Sequence, residues 1–114
     1  MIQQGEAYWV DLGEPRGRGL AYRHPYVVVQ SNAFNRSKIG TIVVCGLTSN
    51  LKRAEFPGNV VLKKGEAGLS KESVVVVTQL YTVDRNFLLE RIGVLSSDRV
   101  DEIINGIKMV INTD

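Results

Sequence analysis

The sequence predicts a small, mainly β domain closed by one helix. Short β-branched and aromatic runs recur along the chain, and clusters of turn residues separate them. After Ser96 the apolar spacing changes from strand-like to helical. Together these features predict a small β-barrel with a helix packed against it.

The first strand is Ala7-Tyr8-Trp9-Val10-Asp11-Leu12, ended by Gly13 and Pro15. A loop of different character follows, from Gly13 to His24, with three glycines, three arginines and one proline. Pro25 then opens Tyr26-Val27-Val28-Val29-Gln30, a continuous apolar run expected to be covered on both faces. The polar stretch Ser31 to Lys38 leads into Thr41-Ile42-Val43-Val44-Cys45-Gly46-Leu47, and the basic segment Thr48 to Pro57 comes next. Asn59 to Leu62 makes a short strand, and Gly65 and Gly68 punctuate the loop after it. Val74 to Leu80 is the longest strand signal, and Arg91 to Leu95 is a weaker one.

Val100, Ile103, Ile104, Ile107, Val110 and Ile111 recur at helical spacing and so share one face. Ser96 or Ser97 can cap that helix. Asp98, Asp101 and Glu102 suit the positive end of its dipole, and Lys108 suits the other.

At 114 residues the chain has room for one domain, spanning 1–114 without internal repeat or linker. Its 44% hydrophobic content excludes a disordered chain. A net charge of +2 does not by itself define a nucleic-acid binder, so any such site must come from locally concentrated charge. The N-terminal residues show neither a basic nor an apolar targeting region, and no apolar run is long enough to span a bilayer. A cytoplasmic protein without membrane partners is expected.

Cys45 is the single cysteine, which excludes an intramolecular disulfide. Its β-branched neighbours predict a buried, inert thiol. One His and one Cys cannot supply a zinc set, and phosphate-binding and dinucleotide fingerprints are missing, so neither metal nor cofactor is expected.

Two segments can carry chemistry. In the loop from Gly13 to His24, Arg16, Arg18 and Arg23 stand against Glu14 alone, a net +2 (three minus one). Guanidinium forks match phosphate oxygens, and glycines let a backbone approach a ligand closely. His24, the only histidine, suits proton transfer near neutral pH. The second segment offers Thr48, Ser49, Asn50, Lys52 and Arg53 directly after an apolar strand. Such a set can hold a phosphate and read base edges in an unstacked strand. Trp9 and Tyr8 are expected in the core, whereas Tyr22 and Phe34 lie in polar surroundings where bases could stack.

In order along the chain, the segments Gly5 to Leu12, Arg23 to Gln30, Asn35-Arg36 and Leu47 to Asn50 resemble the MazF/PemK family of toxin endoribonucleases. So do Pro57 to Val60, Gly68 to Val74, Thr78-Gln79 and Thr82 to Asp84. The resemblance implies an SH3-like barrel that forms a homodimer and cuts single-stranded RNA at short sequence motifs. The substrate would be mRNA, with tRNA or rRNA as further targets. It also implies an antitoxin partner whose acidic, partly disordered segment lies across the RNA groove.

The family's usual catalytic pair is an arginine before the strand-opening proline and a threonine after the third strand. Thr48 matches the threonine. The position before Pro25 holds His24, and Arg23 stands one residue earlier, so both are retained as catalytic candidates with Thr48. RNA-binding roles are expected for Arg16, Arg18, Asn32, Ser49, Asn50, Lys52, Arg53 and Gln79. The alternative from another class is a non-catalytic toxin of the same fold that binds a protein such as DNA gyrase.

Overall fold

The computed structural model describes residues 1–12 and 23–114. Among them, six strands form one antiparallel sheet: β1 (Glu6–Asp11), β2 (Arg23–Val28), β3 (Thr41–Thr48), β4 (Val60–Leu62), β5 (Ser73–Asp84) and β6 (Leu88–Val94). The short helix α1 (Asn32–Asn35) links β2 to β3, and α2 (Ser97–Val110) follows β6. The order across the sheet is β4-β5-β3-β2-β1-β6. Residues 66–68, between β4 and β5, pack on β6, so the two edges of the sheet meet through this loop. The result is a curled half-barrel, as the sequence predicts.

The apolar run in β2 is covered on both faces. Val27 joins one buried cluster with Ala7, Cys45, Leu47, Leu62, Val75 and Ile103. Its neighbours Tyr26 and Val28 join the other, with Val10, Ile42, Val44 and Val83. This is strand alternation at work, because successive side chains point to opposite faces. Burying each such aliphatic side chain stabilises the fold by about 1.5–3 kcal/mol.

Three elements extend beyond their sequence signals, among them β6, which begins at Leu88 instead of Arg91. β2 begins at Arg23, inside the expected loop, because Arg23 and His24 pair with Asp11 and Val10 of β1. β5 runs to Asp84 by way of a bulge: Gly46 pairs with Val76, but Cys45 pairs with Leu80.

α2 starts where the sequence places it, with the Ser96 hydroxyl accepting a hydrogen bond from the Arg99 backbone N–H at 3.3 Å. Val100, Ile103 and Ile107 pack into the first cluster. Gly106 lets the helix approach Gly58, whose carbonyl oxygen lies where a β-carbon would stand. The expected apolar stripe runs out one turn early. Val110 and Ile111 remain exposed, as does Met109, because the helix by then has passed the buried cluster.

Cys45 is fully buried and donates from Sγ to the Val76 carbonyl at 3.1 Å. Burial pushes its thiol pKa up to about 12, in keeping with an inert structural role.

Candidate functional site

The start of β2, the end of β3 and the loop before β5 surround an open cavity of about 460 Å³. Arg23 and His24 line it together, although they are neighbours on a strand. Both are exposed and precede Tyr26, where the pairing of β2 with β3 begins among the described residues. Thr48 and Ser49 line the cavity from the end of β3, and Gly68, Leu69, Ser70, Lys71 and Ser73 line it from the loop. Trp9, Pro25, Leu47 and Ile92 supply its apolar part.

The chemistry of this lining is one-sided. It holds the cations Arg23 and Lys71 and the hydroxyls of Thr48, Ser49, Ser70 and Ser73, and no carboxylate among the described residues. Such a lining suits an anion with several acceptor oxygens.

Two of these groups, Arg23 and Thr48, are held by their neighbours. The Arg23 guanidinium carbon lies 5.7 Å from the centre of the Trp9 ring, and its Nη2 donates to Glu90 at 3.4 Å. The Thr48 hydroxyl accepts from the Asn50 backbone N–H at 3.1 Å, which fixes the turn that leaves β3. Behind the cavity, Glu6 accepts from Arg91 at 2.7 Å, from the Gln3 backbone at 2.8 Å and from the Tyr8 hydroxyl at 3.1 Å. Burial works against the charged Glu6 carboxylate, but these hydrogen bonds outweigh it and hold its pKa below the ordinary range. The same pairing, added to burial, pushes the Tyr8 hydroxyl up to about 12.

Arg23, His24, Thr48 and Ser49 are therefore brought together, as the sequence suggests. The remaining expected RNA-binding residues lie elsewhere or outside the description. Asn50 caps the 3₁₀ turn Leu51–Glu55 by accepting from the Lys52 backbone N–H. Arg53 borders a separate groove with Phe56, Pro57 and Met109. Asn32 sits beyond the opposite end of β2, where its side chain accepts from the Gln4 backbone and from Asn35. Gln79 lies in the β5 bulge with its amide over Gly46. Arg16, Arg18 and Tyr22 lie outside the described residues.

Two parts of the cavity escaped the sequence reading. Trp9 is half-buried and lines the cavity instead of sitting in the core, which its place opposite Pro25, next to Arg23, explains. The Ser70–Lys71 wall lies in the family-like segment Gly68 to Val74, yet neither residue is among the expected site residues. Nothing local says that this loop reaches across to β6.

The chain is thus a small β protein, a curled antiparallel half-barrel with a cationic, hydroxyl-rich cavity at its strand ends whose lining suits an anion. Comparison with known proteins identifies it further. Residues 3–111 match the PemK-like, MazF-like toxins of type II toxin–antitoxin systems, and the chain belongs to that family. It is 36% identical over 112 residues to endoribonuclease MazF6 of Mycobacterium tuberculosis, covering 98% of each chain. It is 30% identical over 107 residues to endoribonuclease MazF of Staphylococcus saprophyticus, covering 94% of this chain and 88% of that one. Among solved structures, a mycobacterial endoribonuclease in complex with its cognate antitoxin superposes with a TM-score of 0.81 at 19% identity, covering 100% of this chain and 98% of that one. A MazE–MazF complex from Deinococcus radiodurans gives 0.78 at 22% identity, covering 99% and 97%. These likenesses show a shared fold.

Proposed function

We propose that this chain is the toxin endoribonuclease of a type II toxin–antitoxin pair, cutting single-stranded RNA without a metal ion. The observation that carries this reading is the meeting of Arg23, His24 and Thr48 in one open cavity free of lining carboxylates among the described residues. RNA brings its own nucleophile. The 2′-oxygen attacks the adjacent phosphorus, the new P–O2′ bond forms, and the P–O5′ bond breaks. The products are a 2′,3′-cyclic phosphate and a 5′-hydroxyl.

His24 takes the 2′-hydroxyl proton as general base, the departing 5′-oxygen takes a proton from water, and Arg23 and Thr48 donate hydrogen bonds to the phosphate oxygens. Arginine is a poor base because its pKa lies above about 12, so charge stabilisation is its natural task. The Trp9 ring, 5.7 Å from the guanidinium carbon, and the ladder position of Arg23 opposite Asp11 orient it for this task.

A homodimer would set two such cavities side by side and cover part of the apolar surface left around Phe56, Met109 and Ile111. An acidic antitoxin segment would compete with RNA for the cations. Its RNA substrate would be met in the cytoplasm, and we assign the activity there.

Incubation with a long single-stranded RNA in EDTA tests the reading. Cleavage should persist, with cyclic phosphate ends, and should stop when the cut nucleotide carries deoxyribose. A strict magnesium requirement, or cutting of the deoxy substrate, would overturn it. Binding of gyrase without RNA cleavage would favour the non-catalytic alternative. Sedimentation at micromolar concentration should show a dimer.

A further inference from the structure

The loop of residues 63–72 leaves the β4–β5 edge of the sheet and ends against β6 on the other edge. Its path depends on three left-handed residues within four positions: Gly65, Ala67 and Gly68 have φ of 95°, 52° and 72°. The Gly65 backbone N–H donates to the Leu69 carbonyl at 2.8 Å and closes the turn. At Gly68 a β-carbon would stand 2.6 Å from the Ile92 carbonyl oxygen, so the contact with β6 is made backbone to backbone.

A brace from α2 holds this loop. Arg99 donates from Nε and Nη2 to the two carboxylate oxygens of Glu66, at 2.9 and 3.0 Å. Glu66 also accepts from the Lys63 backbone N–H at 2.7 Å. The paired guanidinium, foremost, keeps the Glu66 carboxyl below its ordinary pKa, so the brace is charged near neutral pH. Arg99 itself is fixed because Val100 and Ile103, on the same helix, pack into the core.

The outcome of this construction is the position of Lys71. It lines the cavity from the loop side, facing the wall of Arg23, His24 and Thr48. It is exposed and forms no ion pair among the described residues, unlike Arg23 with Glu90 and Arg99 with Glu66. A cation on the second wall, across the cavity from Arg23, is placed to meet a second anion. We propose that Lys71 anchors a phosphate adjacent to the one that is cut, with Glu66 and Arg99 as positioning residues; this rests on the nuclease reading above. The charge on that neighbouring phosphate does not change during cleavage. Lys71 therefore binds ground state and transition state equally, and its loss raises KM without lowering kcat.

The test measures binding of a labelled, mixed-sequence single strand made wholly of deoxyribose, which the proposed chemistry cannot cut, at 50 to 200 mM salt. Lys71→Ala should weaken binding roughly five- to tenfold at the lowest salt. It should also reduce the slope of log affinity against log salt by about 0.7, the share of one phosphate on a single strand. Lys71→Arg should restore the slope. Glu66→Gln should weaken binding about twofold alone and add nothing to Lys71→Ala, since partners in one chain of action are not additive. An unchanged salt slope in Lys71→Ala overturns the anchor. A Glu66→Gln loss that persists in the Lys71→Ala background overturns the positioning role.

Parallel cleavage assays separate this proposal from the one it rests on. Wild-type cleavage with an unchanged Lys71→Ala slope leaves the nuclease and removes the anchor. Wild-type binding without cleavage removes the nuclease, while the slope still decides the fate of Lys71. Neither binding nor cleavage removes both.

Discussion

The two walls of the cavity are built by opposite means. Arg23, His24 and Thr48 stand at the ends of paired strands, where ladder hydrogen bonds to β1 and β5 fix the backbone. Ser70 and Lys71 stand on a loop shaped by left-handed residues and one ion pair. On the proposed mechanism, the groups that meet a developing charge gain from the first arrangement, since sites on strands hold geometry more tightly than sites on loops. A group that only holds a flanking phosphate tolerates the second.

The largest expected effect tests that division. Arg23→Ala and Thr48→Ala should each lower kcat by roughly 10²–10³, the usual cost of losing one donor to a developing oxyanion. His24→Ala should lower it by about 10²–10⁴ and change the shape of the pH–rate profile, whereas Arg23→Ala should act at every pH. Lys71→Ala should leave kcat within about twofold. Single-turnover cleavage of one defined RNA measures all four. Equal losses in kcat from both walls would erase the distinction, and a fully active His24→Ala would pass proton transfer to another group.

A second prediction breaks the loop wall without touching its cation. A β-carbon at Gly93 would collide with the Ala67 backbone. Gly93→Ala should therefore destabilise the fold by about 1–3 kcal/mol, the usual range for overpacking. Because Ala67 carries the loop, KM should rise more than kcat falls. Gly40→Ala, with open space at the same distance, should stay within about 0.5 kcal/mol. Urea unfolding of the pair gives the comparison, and equal midpoints would show that the loop does not rest on Gly93.

The same contrast explains what was legible in the sequence. Strand and helix positions follow from local alternation and period, so β1, β3 and α2 appear almost at their observed bounds. Thr48 stands where the β3 run meets polar residues, but its role and that of Arg23 come from the family resemblance, and Arg23 stands in an expected loop. The loop wall depends on contacts between residues far apart in sequence, such as Gly68 with Ile92 and Glu66 with Arg99, and no local signal carries these. Trp9 misleads for a related reason. Its size suggests the core, but Pro25 and Arg23 opposite place it at the rim. Asn32 and Gln79 are polar residues in promising segments, yet their amides serve the turn after β2 and the β5 bulge.

A third prediction concerns the edge on which the loop wall leans. Glu6 ties β1 to Arg91 of β6, next to Ile92. Its pKa is lowered in the fold, so its stabilisation is complete above the ordinary glutamate value near 4.3. That stabilisation is lost as pH falls through the lower folded value. Glu6→Gln should cost about 1–3 kcal/mol at pH 7, since the Arg91, Tyr8 and Gln3 donors lose a charged acceptor. The variant should also lose less further stability than wild type between pH 5 and about 3. Parallel acid-unfolding curves for the two proteins would assign the acid sensitivity to other carboxylates.

The smallest expected effect lies on the strand-end wall, in the ion pair between Arg23 and Glu90. Their side chains are 48% and 68% exposed and meet at 3.4 Å. Solvent screens such a pair, and exposed pairs contribute about 0–1 kcal/mol. Glu90→Gln should therefore change stability by less than about 0.5 kcal/mol. Arg23 keeps its place over the Trp9 ring and its ladder position opposite Asp11. Function should move in the other direction. Removing an anion beside the guanidinium leaves more of its charge for phosphate, so RNA affinity should rise by up to about twofold at low salt. The gain should vanish at high salt. A fall in kcat of tenfold or more would instead show that Glu90 aims Arg23, and that the ladder alone does not hold this wall.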